Sequence, residues 1–167
     1  GFILAVGSSQ VTMKNVNFIN LTSPGSFDIS GSVSFYNSKV ELVDVNFYNN
    51  FSEDYLNLIN TKFSLKNVLF ENCSSDCFDA DFSNGELANV TFNISGNDGL
   101  DLSGSDVNIN NIYFDRIGDK AISAGENSKI ILSNITVKNS EIGLVSKDGS
   151  IIHGNNVTID SVKLPVT

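Results

Sequence analysis

Tryptophan is absent, and the chain has only one His, one Arg and two Cys in 167 residues. Each shortage closes a route. Without Trp, and with most Phe taken up by a repeat, platforms for stacking a sugar ring are few; Tyr36, Tyr48 and Tyr55 are the exposed candidates. One Arg, Arg116, in a chain of net charge −9 offers no cation cluster to neutralise phosphates, which argues against a nucleic-acid partner. No apolar run approaches a membrane span. The opening Phe2-Ile-Leu-Ala-Val6 is too short, and lacks the basic lead, for a signal peptide. Cys73 and Cys77 have no His or further Cys in company, which disfavours a metal site. They read as small buried or turn residues, or as a local disulfide if the turn brings their Cα atoms within about 7 Å. The lone His153 reads as an exposed strand residue. Helical periodicity is missing throughout.

What is abundant is Phe, Val and Ile, which suit strands, and Asn, Ser, Asp and Gly, which suit turns. They are arranged in a repeat. The pattern Asn89-Val-Thr-Phe92 recurs as Asn15-Val-Asn-Phe18, Asp44-Val-Asn-Phe47, Asn67-Val-Leu-Phe70, Asn111-Ile-Tyr-Phe114, Asn134-Ile-Thr-Val137 and Asn156-Val-Thr-Ile159, with steps of 29, 23, 22, 22, 23 and 22 residues. A fixed period in this range marks a solenoid. On either side of each anchor, apolar residues alternate with period two, as in Val40/Leu42 and Val45/Phe47, so two strands flank a polar corner. A third strand precedes them: Phe27-Asp-Ile29, Leu56-Asn-Leu58, Phe78-Asp-Ala80, Leu100-Asp-Leu102, Ile122-Ser-Ala124 and Leu144-Val-Ser146. Three strands in about 22 residues predict an all-β, right-handed parallel β-helix of about seven coils. Residues 1–167 form a single domain that reads as a portion of a longer solenoid.

Stacking is then like on like. Phe18, Phe47, Phe70, Phe92 and Phe114 form an aromatic ladder, and the anchor Asn side chains point inward and bond along the axis, with Asp44 a costly break. The surplus residues of the 29-residue step fall around Gly31–Ser38 as an inserted turn. Gly154 suggests a loosening last coil. Seven Asn-x-Ser/Thr tripeptides begin at Asn20, Asn50, Asn72, Asn89, Asn93, Asn134 and Asn156, but the repeat itself generates such patterns.

Chemistry concentrates on one face. Nine residues after successive anchors stand Glu53, Asp76, Asp98 and Lys120; three further on, Asp79 lies over Asp101 with Ser123 following. Asp81 and Asp119 flank the patch, and Glu126 overlays Asp148 beside Lys147. Two unit charges about 4.8 Å apart repel by roughly 1 kcal/mol in water and about 3.5 kcal/mol at an effective dielectric of 20. Such a ladder calls for a cation, a neighbouring Lys or a raised pKa. Calcium suits it best, since it accepts many oxygen ligands with tolerant geometry. Asp76, Asp79, Asp98, Asp101, Asp119 and Glu126 are the candidate ligands.

The repeat and strand arrangement resemble the right-handed β-helix superfamily of pectate lyases, polygalacturonases and phage tailspikes. The resemblance covers the whole chain but is one of architecture, which hosts many functions. It implies a glycan groove along the acidic face. Asp79, Asp98 and Asp101 could supply carboxylates for inverting hydrolysis, yet the Gly-His-Gly and Arg-x-Lys runs of polygalacturonases are missing. A lyase would use Lys120 or Lys147 as base, with Asp98 and Asp101 serving beside calcium; acids around a lysine raise its pKa and oppose that role. Two functions are therefore expected: a non-catalytic extracellular or cell-surface module of adhesin, passenger or fibre-shaft type with an acidic calcium-binding face, or a lyase or hydrolase of an acidic polysaccharide. The partner would be a polysaccharide or cell-surface glycan, or another copy of the chain through stacking or lateral contacts.

Overall fold

The computed structural model describes residues 1–23 and 29–167. The fold is an all-β parallel solenoid of two sheets. The short strands are β1 (Ile3–Val6), β3 (Gly31–Tyr36), β5 (Asp54–Ile59), β7 (Asp76–Asp81), β9 (Leu100–Ser103), β11 (Lys120–Gly125), β13 (Ile142–Ser146) and β15 (Leu164–Val166). Between them run the long strands β2 (Val11–Ile19), β4 (Lys39–Tyr48), β6 (Lys62–Cys73), β8 (Asn84–Ser95), β10 (Asp106–Ile117), β12 (Lys129–Lys138) and β14 (Ile151–Asp160). Each strand pairs in parallel with the next of its own kind. Six steps join the seven long strands, so the chain makes about six turns, fewer than the seven coils expected.

The strands expected before and after each anchor are one strand. Asn15, Asp44, Asn67, Asn89, Asn111, Asn134 and Asn156 all lie inside long strands with φ between 54° and 58°. This left-handed conformation bends the chain while pairing continues on both sides, and Asn and Asp tolerate it better than other residues with a Cβ. Two hydrogen-bonded strands per turn therefore replace the three expected. The anchor side chains are exposed, not inward. They still form a ladder: Asn67 Nδ2 donates to Asp44 Oδ1 at 2.9 Å, Asn89 to Asn67 at 3.0 Å and Asn111 to Asn89 at 2.8 Å. Asp44 accepts from Asn67 but has no proton to donate to Asn15, so the ladder breaks there as expected, and Asn134 Nδ2 donates to Asn110 Oδ1 rather than to Asn111.

A second ladder has no counterpart in the sequence reading. Ser38, Thr61, Ser83, Ser105 and Ser128 stand six residues before successive anchors, all buried. Their hydroxyls accept the backbone N–H of the equivalent residue one turn earlier, at 2.9–3.4 Å from Ser38 through Ser105. Each also donates to a nearby carbonyl of its own turn. Corner backbone groups that would be buried and unpaired are satisfied this way.

The core is the predicted set of columns. Phe47, Phe70, Phe92 and Phe114 stack at centroid spacings of 4.7–5.0 Å with ring planes within 8°, and Phe18 joins at 4.9 Å. Phe78 approaches from the short sheet, 6.2 Å from Phe70. Gly85 occupies an apolar column because the Phe63 ring fills its side-chain space: a Cβ there would lie 2.5 Å from Phe63 Cδ2.

Two further expectations change. Gly31–Tyr36 is not an inserted turn but strand β3, with Val33 opposite Leu56 and Phe35 opposite Leu58; the surplus residues lie between Ile19 and Gly31. Phe27 and Asp28 of the expected strand Phe27-Asp-Ile29 fall outside the described residues. β14 is the edge of the long sheet, and its alternate residues Ile152, Val157 and Ile159 stay half-buried despite Gly154.

Phe70→Ala should cost about 4 kcal/mol of unfolding free energy, because the residue is wholly buried between two stacked rings. Chemical denaturation measures this, and a cost near that of a surface substitution would contradict the ladder's role.

Candidate ligand face

The short sheet presents residues of alternating direction. Leu56, Phe78, Leu100 and Ile122 form one inward column and Leu58, Ala80, Leu102 and Ala124 another. Between these, pointing the other way by the period of two, lies the polar column Ser34–Asn57–Asp79–Asp101–Ser123, each residue in register with the next. Asp79 over Asp101 followed by Ser123 is thus as the repeat predicts. At the start of the same strands the column is Asp54 and Asp76, with Asp98 and Lys120 continuing it. Asp54 takes the place expected of Glu53, whose carbonyl instead accepts the Asp76 N–H.

These two acid columns are chemically different. Acids at the strand starts are engaged in the framework. Asp76 Oδ1 accepts the Asp98 N–H at 2.8 Å and Asn97 Nδ2 at 2.6 Å. Asp98 Oδ1 accepts the Lys120 N–H at 2.9 Å, and Lys120 Nζ lies 3.2 Å from the same oxygen and also bonds Asp119. Burial pushes the Asp98 carboxyl up to about 6 against the pull of its bonds to Lys120. Burial would lower the Lys120 pKa, but Asp119 and Asp98 together raise it. Asp54 is pushed up to about 7, chiefly by burial.

Acids in the mid-strand column are not so well provided. Asn57 Nδ2 donates to Asp54 Oδ2 at 3.2 Å and to Asp79 Oδ2 at 2.7 Å, bridging the two carboxyls. Burial, with the carboxyls of Asp54, Asp81, Asp101 and Asp76 around it, pushes Asp79 up to about 9. Among the described residues the buried side-chain atoms without a hydrogen-bond partner are Ser34 Oγ, Asn57 Oδ1, Asp101 Oδ1 and Ser123 Oγ. All four belong to this one column.

The other candidates are scattered. Glu126 and Asp148 occupy exposed left-handed corners, with φ of 56° and 51°. Lys147 is exposed and lies against Gly125, where a Cβ would come within 3.1 Å of its Cε. Lys120 begins β11 and Gly125 ends it, so the two lysines are separated by roughly 16 Å of strand. Among the described residues no three His, Cys, Asp or Glu side chains form a ready cage for a metal ion.

Of the aromatic candidates, Tyr55 is fully buried and its hydroxyl donates to the Asn72 carbonyl, while Tyr36 and Tyr48 are half-buried. None is an open platform. His153 is exposed on β14, as expected. Cys73 and Cys77 form a disulfide with Cα atoms 5.3 Å apart, and both are buried. Asn50 is fully buried and bonded to Ser32 and the Leu21 N–H, so its tripeptide has no room for a glycan. A groove of about 690 Å³ lies on the outside of the long sheet, away from the stacked aspartates of the short sheet, with Thr12, Glu41, Ser64, Glu86 and Asn108 along it. Its signal was the outward column in the repeat, which carries no single chemistry.

The sequence matches no protein-family profile and no curated protein. Two solved structures align over most of the chain. One is trypsin-treated QnrB1, a plasmid-mediated fluoroquinolone resistance protein, at 14% identity over 85% of this chain and 91% of that one, with a TM-score of 0.19. The other is HetL, a pentapeptide repeat protein involved in heterocyst differentiation regulation from the cyanobacterium Nostoc sp. strain PCC 7120. It aligns at 10% identity over 92% of this chain and 87% of that one, with a TM-score of 0.16. Neither is a pectate lyase, polygalacturonase or tailspike, and at such scores neither carries an argument about this chain. Among the described residues no helix is long and apolar enough to cross a membrane.

The raised carboxyl pKa values have a consequence for stability. Asp54 and Asp79 lie at about 7 and about 9 when folded, against 3.8 as ordinary carboxyls, so the folded state binds more protons than the unfolded state between these values. Their contribution is complete below about pH 4 and is lost as pH rises through about 7 and 9. Thermal unfolding should give a higher Tm at pH 5 than at pH 9, by on the order of 5 °C, and Asp79→Asn should flatten that slope. A Tm that rises with pH would refute the assignment. Lys120→Met should cost about 3 kcal/mol at neutral pH, because it strips a buried carboxylate of its cation; denaturant titration tests it.

Proposed function

We propose that this chain is a non-catalytic extracellular module, a shaft or adhesin-type solenoid whose acidic face binds divalent cations. One observation carries the reading: the groups that a reaction would need are committed to the framework. A lyase base must be an uncharged amine, yet Lys120 is clamped between Asp98 and Asp119, which hold its proton. Lys147 lies on another turn at the far end of the short strand. Asp76 and Asp98 hold backbone N–H groups of the succeeding turn. A buried disulfide fits an oxidising compartment, and that supports an extracellular or cell-surface location. The winding is taken as right-handed, the hand of nearly all parallel crossovers. The likeness to the pectate-lyase superfamily then reduces to shared architecture. A polysaccharide remains the partner class that suits the open groove walled by Glu41, Ser64 and Glu86.

The enzyme reading retains one point in its favour. Asp79 is pushed up to about 9 within a cluster of carboxyls, and a carboxyl that keeps its proton at neutral pH is what a general acid requires. Incubation with a panel of polyuronates and other acidic glycans separates the two readings. Neither unsaturated-product absorbance nor new reducing ends should appear, with or without calcium. Turnover that Lys120→Ala or Asp101→Asn abolishes would overturn the non-catalytic reading.

A further inference from the structure

The corner that joins each short strand to the next long strand is a column of left-handed residues. Asn37, Asn60, Phe82 and Gly104 occupy it with φ of 50°, 48°, 49° and 60°. Asn and Gly take this conformation at least cost, whereas a bulky side chain there is strained. Phe82 is the only aromatic among the left-handed residues described. Burial does not account for it, because the side chain is 58% exposed. Its ring leans over Gly104 on the following turn, where a Cβ would lie 2.6 Å from Phe82 Cδ1. Toward the preceding turns a cavity of about 320 Å³ opens, lined by Phe82 with Asn37, Asn60, Lys62 and Asn84. Lys62 and Asn84 also line the groove on the long sheet, so the corner cavity continues into that groove. An aromatic ring held out at a conformational cost beside a polar groove is strain of the kind that marks a binding position.

Charge selects the ligand. Lys39 and Lys62 stand directly opposite one another on β4 and β6, and neither forms an ion pair among the described residues. Glu41, Glu86 and Asp106 line the same groove. A polyanion would lie along these three carboxylates in a chain of net charge −9, and a polycation against two stacked lysines. An uncharged ligand rich in hydroxyls meets neither penalty, since each hydroxyl both donates and accepts. A peptide finds no edge to pair with, because the backbone groups of β4, β6 and β8 are engaged by their neighbours in the sheet. The groove crosses β2, β4, β6, β8 and β10, so it runs along the solenoid axis and suits a chain rather than a single small molecule. We propose that the groove and its corner cavity bind a neutral polysaccharide, with the apolar face of one sugar ring on Phe82 and its hydroxyls on Asn60, Lys62 and Asn84. This rests on the polysaccharide-partner reading above and narrows it to an uncharged glycan and one aromatic platform.

The test is calorimetric titration of the whole chain with cellohexaose, mannohexaose and galactohexaose, set against oligogalacturonate and chitosan oligomers, together with thermal unfolding. At least one neutral hexaose should bind more tightly than either charged oligomer. Phe82→Asn should weaken that binding by about tenfold through loss of the stacked ring. The same change should raise the Tm by roughly 3 °C, because Asn takes the left-handed corner with less strain. Phe82→Tyr, which keeps the ring, should retain the affinity. Phe51→Asn, at an exposed ring outside both cavities, should leave it unchanged. A ring present only to pack against Gly104 would lower the Tm on removal, and a lower Tm for Phe82→Asn would overturn the platform. Parental affinity in Phe82→Asn would overturn it equally. A charged oligomer that binds as tightly as any neutral one would overturn the uncharged ligand but leave a polysaccharide partner standing. No binding to any of the five would overturn both.

Discussion

Parallel pairing of each turn with the next, in register, is the constraint from which every other feature follows. Side chains on a strand alternate with a period of two, so a slip of one residue would turn the Phe ladder out to solvent and the polar column into the core. The register does not slip because both faces are specified at once. Val45, Phe47 and Leu42 must find Val68, Phe70 and Leu65 on one side of the strand, while Asp44 must meet Asn67 at the bend. The hydroxyl ladder adds a third lock, since Thr61 and Ser83 are placed to accept a corner N–H only in this alignment.

Stacking like on like is favourable for most residue types and unfavourable for one. Phe rings gain offset contacts. Asn amides donate to the next carbonyl, and Ser hydroxyls both donate and accept. A carboxylate only accepts, so stacked Asp residues repel and leave oxygens without donors. The chain handles this in two ways. At the starts of the short strands, Asp76 and Asp98 accept backbone N–H groups from the following turn, and Lys120 closes the series with a positive charge. In mid-strand, where backbone groups are consumed by the sheet, Asp79 and Asp101 have no such outlet. One amide, that of Asn57, serves two carboxyls and leaves its own oxygen bare. The difference between an acid tied into the framework and one with a bare oxygen is three residues of sequence, Asp98 against Asp101.

The disulfide and the glycine at position 85 belong to the same logic. Cys73 ends β6 and Cys77 lies within β7, so the bond ties the two sheets across the tight corner between them. For a loop this short the loss of unfolded-state entropy is worth about 2 kcal/mol. At Gly85 a missing side chain is compensated by its neighbour in the column, the ring of Phe63 leaning into the space. Columns, rather than individual positions, are what conserve volume in this fold.

Much of this was legible without coordinates. A period of about 22 residues and an alternation of two place Phe47 over Phe70 and Asp79 over Asp101, because stacking is a matter of counting once strands are parallel. Counting does not reveal where a corner sends its side chain. Asn89 and its equivalents proved to be exposed because a left-handed residue turns its side chain outward, and the same conformation keeps two expected strands continuous as one. Nor does counting reveal hydrogen-bond partners. That Lys120 is clamped, that Tyr55 is buried and that the Asn57 and Ser123 oxygens are partnerless depend on the burial and direction of groups brought together from different turns. The linear sequence determined which residues would be neighbours along the axis; only the folded corners and packed faces decided which of those neighbours were satisfied.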